Sequence, residues 1–87
     1  MESRVALLSI IVESPSSAQE VNEILHEYGD YIIGRMGIPY REKKVNIISI
    51  AIDAPEVTIN ALSGKIGKIE NVNVKTTFSN IITKNED

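Results

Sequence analysis

The sequence contains no cysteine and no tryptophan, and it has a single histidine and a single phenylalanine among its 87 residues. Without cysteine, the chain can form neither disulfide bonds nor thiolate metal sites. A chain this short buries a limited share of its surface, and small domains often gain stability from disulfides, metals or oligomers. The composition therefore favours oligomerisation of a single small domain.

The sequence also lacks an excess of positive charge and a long hydrophobic run. Its formal net charge is -3 at pH 7, whereas phosphate neutralisation by a nucleic-acid-binding protein usually requires a basic surface. The longest apolar run, Val5 to Val12, is interrupted by Ser9 and is shorter than the ~20 residues of a membrane span. The N-terminus has no basic segment typical of a secretory signal. We expect a cytoplasmic protein that does not bind membranes, or nucleic acid by itself.

Four stretches rich in Val, Ile and Thr alternate with two of helical periodicity, in the order β-α-β-β-α-β. A helix over Ala18 to Tyr28 is predicted to start at Ser14-Pro15 or at a Ser17/Glu20 capping box, and to end at Gly29 in a left-handed conformation. The predicted strands are Arg4 to Val12, Tyr31 to Met36, Asn46 to Ile52 and Asn71 to Ser79.

The second helix has its own start signal in Asp53-Ala54-Pro55-Glu56, where Asp53 can cap and Pro55 suits the first turn. The segment Ser63 to Gly67 is predicted to fray, because glycine is unfavourable in helices. Gly37 to Lys44 is predicted to be the connection between the second and third strands.

This order predicts an α+β, ferredoxin-like fold with sheet order 4-1-3-2 and both helices on one sheet face. We expect one domain over residues 1–80 and a polar tail over 81–87. The side chains expected beneath the helices are Ala6, Leu8, Ile10, Val12, Ile48, Ile50, Ile52, Val72, Val74 and Phe78.

The opposite sheet face is less polar than a solvated face should be. The central strands present aliphatic and small residues on this face, while the last strand presents the polar side chains Asn73, Lys75, Thr77 and Ser79. An apolar centre with a polar rim is typical of an interface, so we predict a homo-oligomer, either a dimer or a tetramer. The alternative is that loops of the same chain cover this face. The predicted interface residues are Val5, Leu7, Ser9, Ile11, Ile47, Ser49 and Ala51.

Catalytic patterns are weak in this sequence. No Gly-x-Ser-x-Gly elbow or phosphate-binding loop is present, and capping explains Asp53 and Glu56. His26 has Glu23, Glu27 and Asp30 nearby and is a weak candidate for a metal site shared between subunits, although an exposed helix residue is the simpler interpretation. We predict no enzymatic activity and no cofactor.

The segment Tyr28 to Arg41 contains all three tyrosines and two of the three arginines. Arginine offers a planar fork for carboxylate or phosphate, and tyrosine gives a rigid amphipathic contact. One interpretation is a ligand-binding or subunit-contact strip formed by Tyr31, Arg35, Tyr40 and Arg41. The other is an edge hairpin whose charges prevent unwanted strand pairing.

The same segment, with Val21 to Glu27, Asp53-Ala54-Pro55 and Ala61 to Gly67, resembles a small bacterial family of iron-only hydrogenase system regulators. The resemblance covers nearly the whole chain. It implies an ACT-like fold similar to the C-terminal sensor domain of the nickel-responsive repressor, and a stand-alone regulatory module encoded near hydrogenase-maturation functions. It brings no catalytic residues. The chain lacks the glycine that amino-acid-binding ACT domains place in the first strand-to-helix turn, and it lacks the repressor's cysteine ligand.

The sequence therefore predicts an oligomeric regulatory module that acts by binding a small-molecule ligand or a partner protein. One alternative is a transcription factor that binds nucleic acid directly, but the third strand has no aromatic residue for base stacking and no helix-turn-helix is visible. A metal-binding sensor centred on His26 is the other alternative.

Overall fold

A computed structural model describes residues 2–84 and confirms the predicted order of strands and helices. Two short 3-10 turns, Gly29–Tyr31 and Arg41–Lys43, flank the second strand. The main elements are β1 (Glu2–Val12), α1 (Pro15–Glu27), β2 (Ile32–Tyr40), β3 (Val45–Ala54), α2 (Glu56–Gly67) and β4 (Val72–Lys84).

The four strands form one antiparallel sheet in the order β2-β3-β1-β4. This is the predicted 4-1-3-2 order counted from the other edge. β1 and β3 occupy the centre, while β2 and β4 form the edges, so the predicted ferredoxin-like fold is confirmed.

Both helices pack on one face of the sheet and enclose the core there. Ile59, Leu62 and Ile66 of α2 and Val21 and Leu25 of α1 are buried against the alternate residues of β1 and β3. Val72, Val74 and Phe78 of β4 are partly buried at the margin of this core. The side chains predicted to lie beneath the helices therefore do so.

Helix α1 begins at the earlier of its two predicted starts, with Ser14 as N-cap and Pro15 in the first turn. The capping box at Ser17 is wrong, because Ser17 lies inside the helix, is buried and donates its hydroxyl to the Glu70 carbonyl at 2.6 Å. Gly29 does not adopt a left-handed conformation. Tyr28 ends the helix instead and leads into a 3-10 turn.

β2 extends four residues beyond its predicted end at Met36, so the segment from Gly37 to Tyr40 is paired strand and not a connection. Pairing with β3 outweighs the turn preference of glycine and proline, which an edge strand tolerates. The remaining turn is short and ends at Lys44 in the left-handed conformation, with φ 55°.

Helix α2 differs from its prediction at both ends. Asp53 belongs to β3, and Pro55 is the N-cap residue without any side-chain capping bond. The helix continues regularly to Gly67, because Leu62 and Ile66 are fully buried and hold the last turns on the sheet.

β4 is longer than predicted and reaches Lys84, so the predicted tail is strand from Ile81 to Lys84, and residues 82–84 pair with the start of β1. The rest of that predicted tail, residues 85–87, lies outside the described residues. The pairing shifts between Arg4 and Ala6, where β4 contains extra residues and forms a bulge.

Arg4 holds this bulge in place. Its Nε and Nη2 atoms donate to the Ser79 carbonyl at 3.2 and 2.7 Å, and its guanidinium lies 4.8 Å from the centre of the Phe78 ring. Nη1 also pairs with the Glu56 carboxylate at the start of α2. One side chain thus connects β1, the β4 bulge and α2.

We predict that Ser17→Ala lowers the free energy of unfolding by about 1–3 kcal/mol, because the Glu70 carbonyl loses its partner in a partly buried place. Ser16→Ala is the matched control, since Ser16 is exposed and its hydroxyl forms a hydrogen bond with the Ser14 hydroxyl. Urea unfolding at one fixed protein concentration measures both variants. Equal losses in the two variants would contradict the structural role of Ser17.

Candidate functional site

The sheet face opposite the helices, which we call the open sheet face, carries the predicted interface residues. Register places the β1 members directly opposite those of β3. Leu7 pairs with Ala51, Ser9 with Ser49 and Ile11 with Ile47. The complete β1 and β3 set is Val5, Leu7, Ser9, Ile11, Ile47, Ser49 and Ala51.

These side chains are exposed or half-buried although they lie on the two central strands. Val5 and Leu7 are 47% and 43% exposed, and Ile47 and Ala51 are half-buried. In the described part of the chain, no loop or helix covers them. The alternative that loops of the same chain bury this face is therefore wrong for residues 2–84.

Sequence reasoning missed two members of this face on β2. Met36 pairs with Ser49 and Ile38 pairs with Ile47, so both extend the open sheet face, and they are 54% and 46% exposed. Ile38 falls in the predicted connection Gly37 to Lys44, whereas Met36 ends the predicted second strand, whose faces the sequence prediction leaves unassigned. The alternation of Gly34, Met36 and Ile38 was the available signal.

The margin of the open sheet face toward β4 is polar. Asn73, Lys75 and Thr77 pair with Ile11, Ser9 and Leu7 and are exposed. The face thus has an apolar centre over β1, β3 and β2, and one polar side. This distribution is typical of a surface that another protein surface covers.

The four residues of the predicted ligand or contact strip do not form one site. Tyr31 and Tyr40 lie just before β2 and at its end, and a nine-residue strand separates them by roughly 30 Å. Arg35 is directed toward α1 and donates a hydrogen bond to the Asn22 side chain. Only Tyr40 and Arg41 lie together.

Tyr40 and Arg41 border a small cavity at the turn between β2 and β3, which we call the turn pocket. Its volume is about 260 Å³. The Tyr40 hydroxyl donates to the Glu42 carboxylate at 3.0 Å. The lining residues are Pro15, Pro39, Tyr40, Arg41, Lys44, Val45 and Asn46.

His26 lies on the outer side of α1, where it borders a shallow depression with Gln19, Asn22 and Glu23. Within residues 2–84, no group of three or more His, Asp or Glu side chains is arranged to hold a metal ion. His26 therefore belongs to no such group within residues 2–84, and a site shared between subunits stays a prediction.

No helix among the described residues has the length and apolar character needed to cross a membrane. Helix α1 has 13 residues and α2 has 12.

Comparisons with solved structures place this fold among known ones. The chain is similar to the uncharacterized protein TM1266 from Thermotoga maritima, with 39% identity and a TM-score of 0.84 over 87% of this chain and 96% of that one. No curated protein matches the sequence.

Two more distant structures share the fold alone. One is the C-terminal domain of the MgtC protein from Mycobacterium tuberculosis, at 10% identity and a TM-score of 0.70 over 87% of both chains. The other is a formyltetrahydrofolate deformylase from Pseudomonas putida, at 16% identity and a TM-score of 0.62, where the match covers 84% of this chain and 28% of the deformylase.

A family model described as "TM1266-like: Iron-only hydrogenase system regulator, putative" matches residues 4–76. This range includes β1 from Arg4 onward, both helices, the whole β2–β3 segment and the first five residues of β4. With most of its length covered and 39% identity to the Thermotoga protein, the chain belongs to the TM1266-like family, as the sequence resemblance predicted.

Proposed function

We propose that this chain is a small cytoplasmic control module of an iron-only hydrogenase system that self-associates through the open sheet face and acts by binding and not by catalysis. The observation that carries the proposal is that apolar side chains at the centre of the sheet, on β1 and β3, are exposed to solvent. Family membership supports the regulatory role.

The partner that best suits this face is a second copy of the same face. Ser9 and Ser49 lie opposite each other at its middle and are small enough to let two sheets approach. Larger side chains flank this pair on both sides, with Leu7 in one direction and Ile11 in the other. A two-fold axis through the serine pair would bring each apolar flank against an apolar flank of the other copy.

The size of the face argues for reversible association. Four strands about 4.8 Å apart and about eight residues at about 3.3 Å per residue give a face on the order of 500 Å². Two such faces would bury on the order of 1,000 Å² in total, at the low end of specific interfaces. We therefore expect two copies to associate weakly and reversibly at micromolar concentration. Such an equilibrium suits a module whose oligomeric state is regulated. A tetramer would need a second contact in addition to this one.

We predict that the protein dimerises in the micromolar range and that Leu7→Lys raises the dissociation constant at least about tenfold, equivalent to about 1.4 kcal/mol. The reason is that the new ammonium would be desolvated at the centre of the interface. Leu7 is exposed in the single subunit, so the substitution should spare the fold. Sedimentation over a concentration series measures the constant.

The matched control is Val57→Lys, which places the same charge on an exposed apolar residue of α2, on the helix side of the molecule. It should leave the dissociation constant unchanged. A wild-type protein that stays monomeric at about 200 µM, or equal constants for the wild type and Leu7→Lys, would refute the proposed interface.

Direct nucleic-acid binding is a separate prediction. We expect no mobility shift of duplex DNA or single-stranded RNA by the purified protein at physiological salt, because the net charge is negative and β3 carries no aromatic residue. A salt-dependent shift, abolished by Arg41→Gln but not by Lys75→Gln, would instead support direct recognition through the β2–β3 turn.

A further inference from the structure

The β2–β3 turn concentrates positive charge in an otherwise acidic protein. Arg41, Lys43 and Lys44 fall within four consecutive residues. Glu42, the only carboxylate of this turn, accepts a hydrogen bond from the Tyr40 hydroxyl. Within residues 2–84, ion pairs form at Arg4 and Lys65 but at none of the three turn cations. The charge of the turn is thus available to an external anion.

The turn pocket beside these cations has mostly apolar and flat walls. Pro15, Pro39, Tyr40 and Val45 line it together with Asn46 and the two cationic residues Arg41 and Lys44. Proline and tyrosine are stiff side chains, so they offer a preformed surface at little entropic cost. An apolar wall with cations at one edge matches a molecule that has a flat apolar body and an anionic group.

The backbone of the turn fixes the position of one of these cations. Lys44 adopts φ 55° and ψ 38°, a conformation uncommon for a residue with a side chain, and its amide donates to the Arg41 carbonyl at 3.2 Å. Such conformations persist where the surroundings hold them, and they are frequent at ligand-binding sites. Here the turn keeps the stems of Arg41 and Lys44 beside the same cavity.

We propose that the turn pocket binds a small aromatic or heterocyclic anion, with the ring between Pro15, Pro39 and Tyr40 and a carboxylate, sulfonate or phosphate group near Arg41 and Lys44. The volume of about 260 Å³ lies just below the usual range of ligand pockets, which limits the body to one or two rings. This inference deepens the binding role proposed above by naming its site and ligand class.

The residues at the centre of the open sheet face do not line the turn pocket, and only Tyr40 and Val45, which continue the alternation of Ile38 and Ile47 at the end of that face, border both. Binding and self-association can therefore be tested separately on the same sample. A ligand at the turn would contact the end of the sheet, next to the first turn of α1 at Pro15.

The test is a titration of the full chain, labelled with ¹⁵N, with phenyl phosphate, which combines a ring and an anion. Inorganic phosphate supplies the anion alone and benzyl alcohol the ring alone. We expect saturable amide shifts at Tyr40, Arg41, Lys44 and Val45 with a dissociation constant on the order of 1 mM for phenyl phosphate. Each of the other two probes should bind at least about tenfold more weakly.

The variant Arg41→Gln/Lys44→Gly should weaken phenyl phosphate binding at least about tenfold, and glycine at position 44 suits the left-handed backbone, so the fold is retained. Lys75→Gln, which removes a cation from the polar margin of the open sheet face, is the matched control and should bind normally. Unchanged binding by the double variant, or a loss with Lys75→Gln, would overturn the assignment.

Three further results would also overturn it. These are no saturable shifts, shifts confined to the centre of the open sheet face around Leu7, Ser9 and Ser49, or equal affinity for inorganic phosphate, which would indicate surface charge without a pocket. Sedimentation of the same samples separates the two proposals. Absent binding with intact dimerisation refutes the turn pocket alone, and a monomer that binds phenyl phosphate refutes only the self-association.

Discussion

The antiparallel pairing of β1 with β3 is the constraint on which the rest of the structure depends. It runs without interruption from the Arg4–Ala54 pair to the Val12–Asn46 pair. Because side chains alternate between the two faces of a strand, burying Leu8 and Ile50 under the helices also fixes what the other face presents. A slip of one residue would expose the core, so the composition of the open sheet face is as firmly determined as that of the core.

The fold could be predicted because periodicity and burial agree in β1, β3 and the centres of both helices. The errors lie where local preference competes with longer-range contacts. Ser17 resembles a cap but serves as a buried donor to a distant carbonyl, and Gly37 resembles a turn but lies in a strand that β3 pairs with. Likewise, the burial of Leu62 and Ile66 keeps α2 helical beyond Gly64, a residue that would fray an isolated helix.

The candidate surfaces were predictable to different degrees. The β1 and β3 members of the open sheet face follow from alternation alone, whereas Ile38 required the true end of β2 and Met36 required its register with β3. The tyrosine- and arginine-rich segment was recognisable by composition, yet sequence could not show that the strand separates Tyr31 from Arg41 and directs Arg35 to Asn22. Composition marks a segment as unusual, but only the path of the backbone decides which of its side chains meet.

Both edges of the sheet are interrupted, and this limits the forms of assembly that the molecule can enter. On one edge, the β4 bulge that Arg4 holds in place breaks the regular ladder of hydrogen bonds. On the other edge, the pairing of β2 is irregular between Ile32 and Gly34. β2 also contains Pro39, which cannot donate a backbone hydrogen bond. Strand-by-strand growth into filaments is thereby disfavoured at either side. An isologous contact between two copies of one broad face, in contrast, closes as a dimer, so the irregular edges favour finite over open-ended forms of assembly.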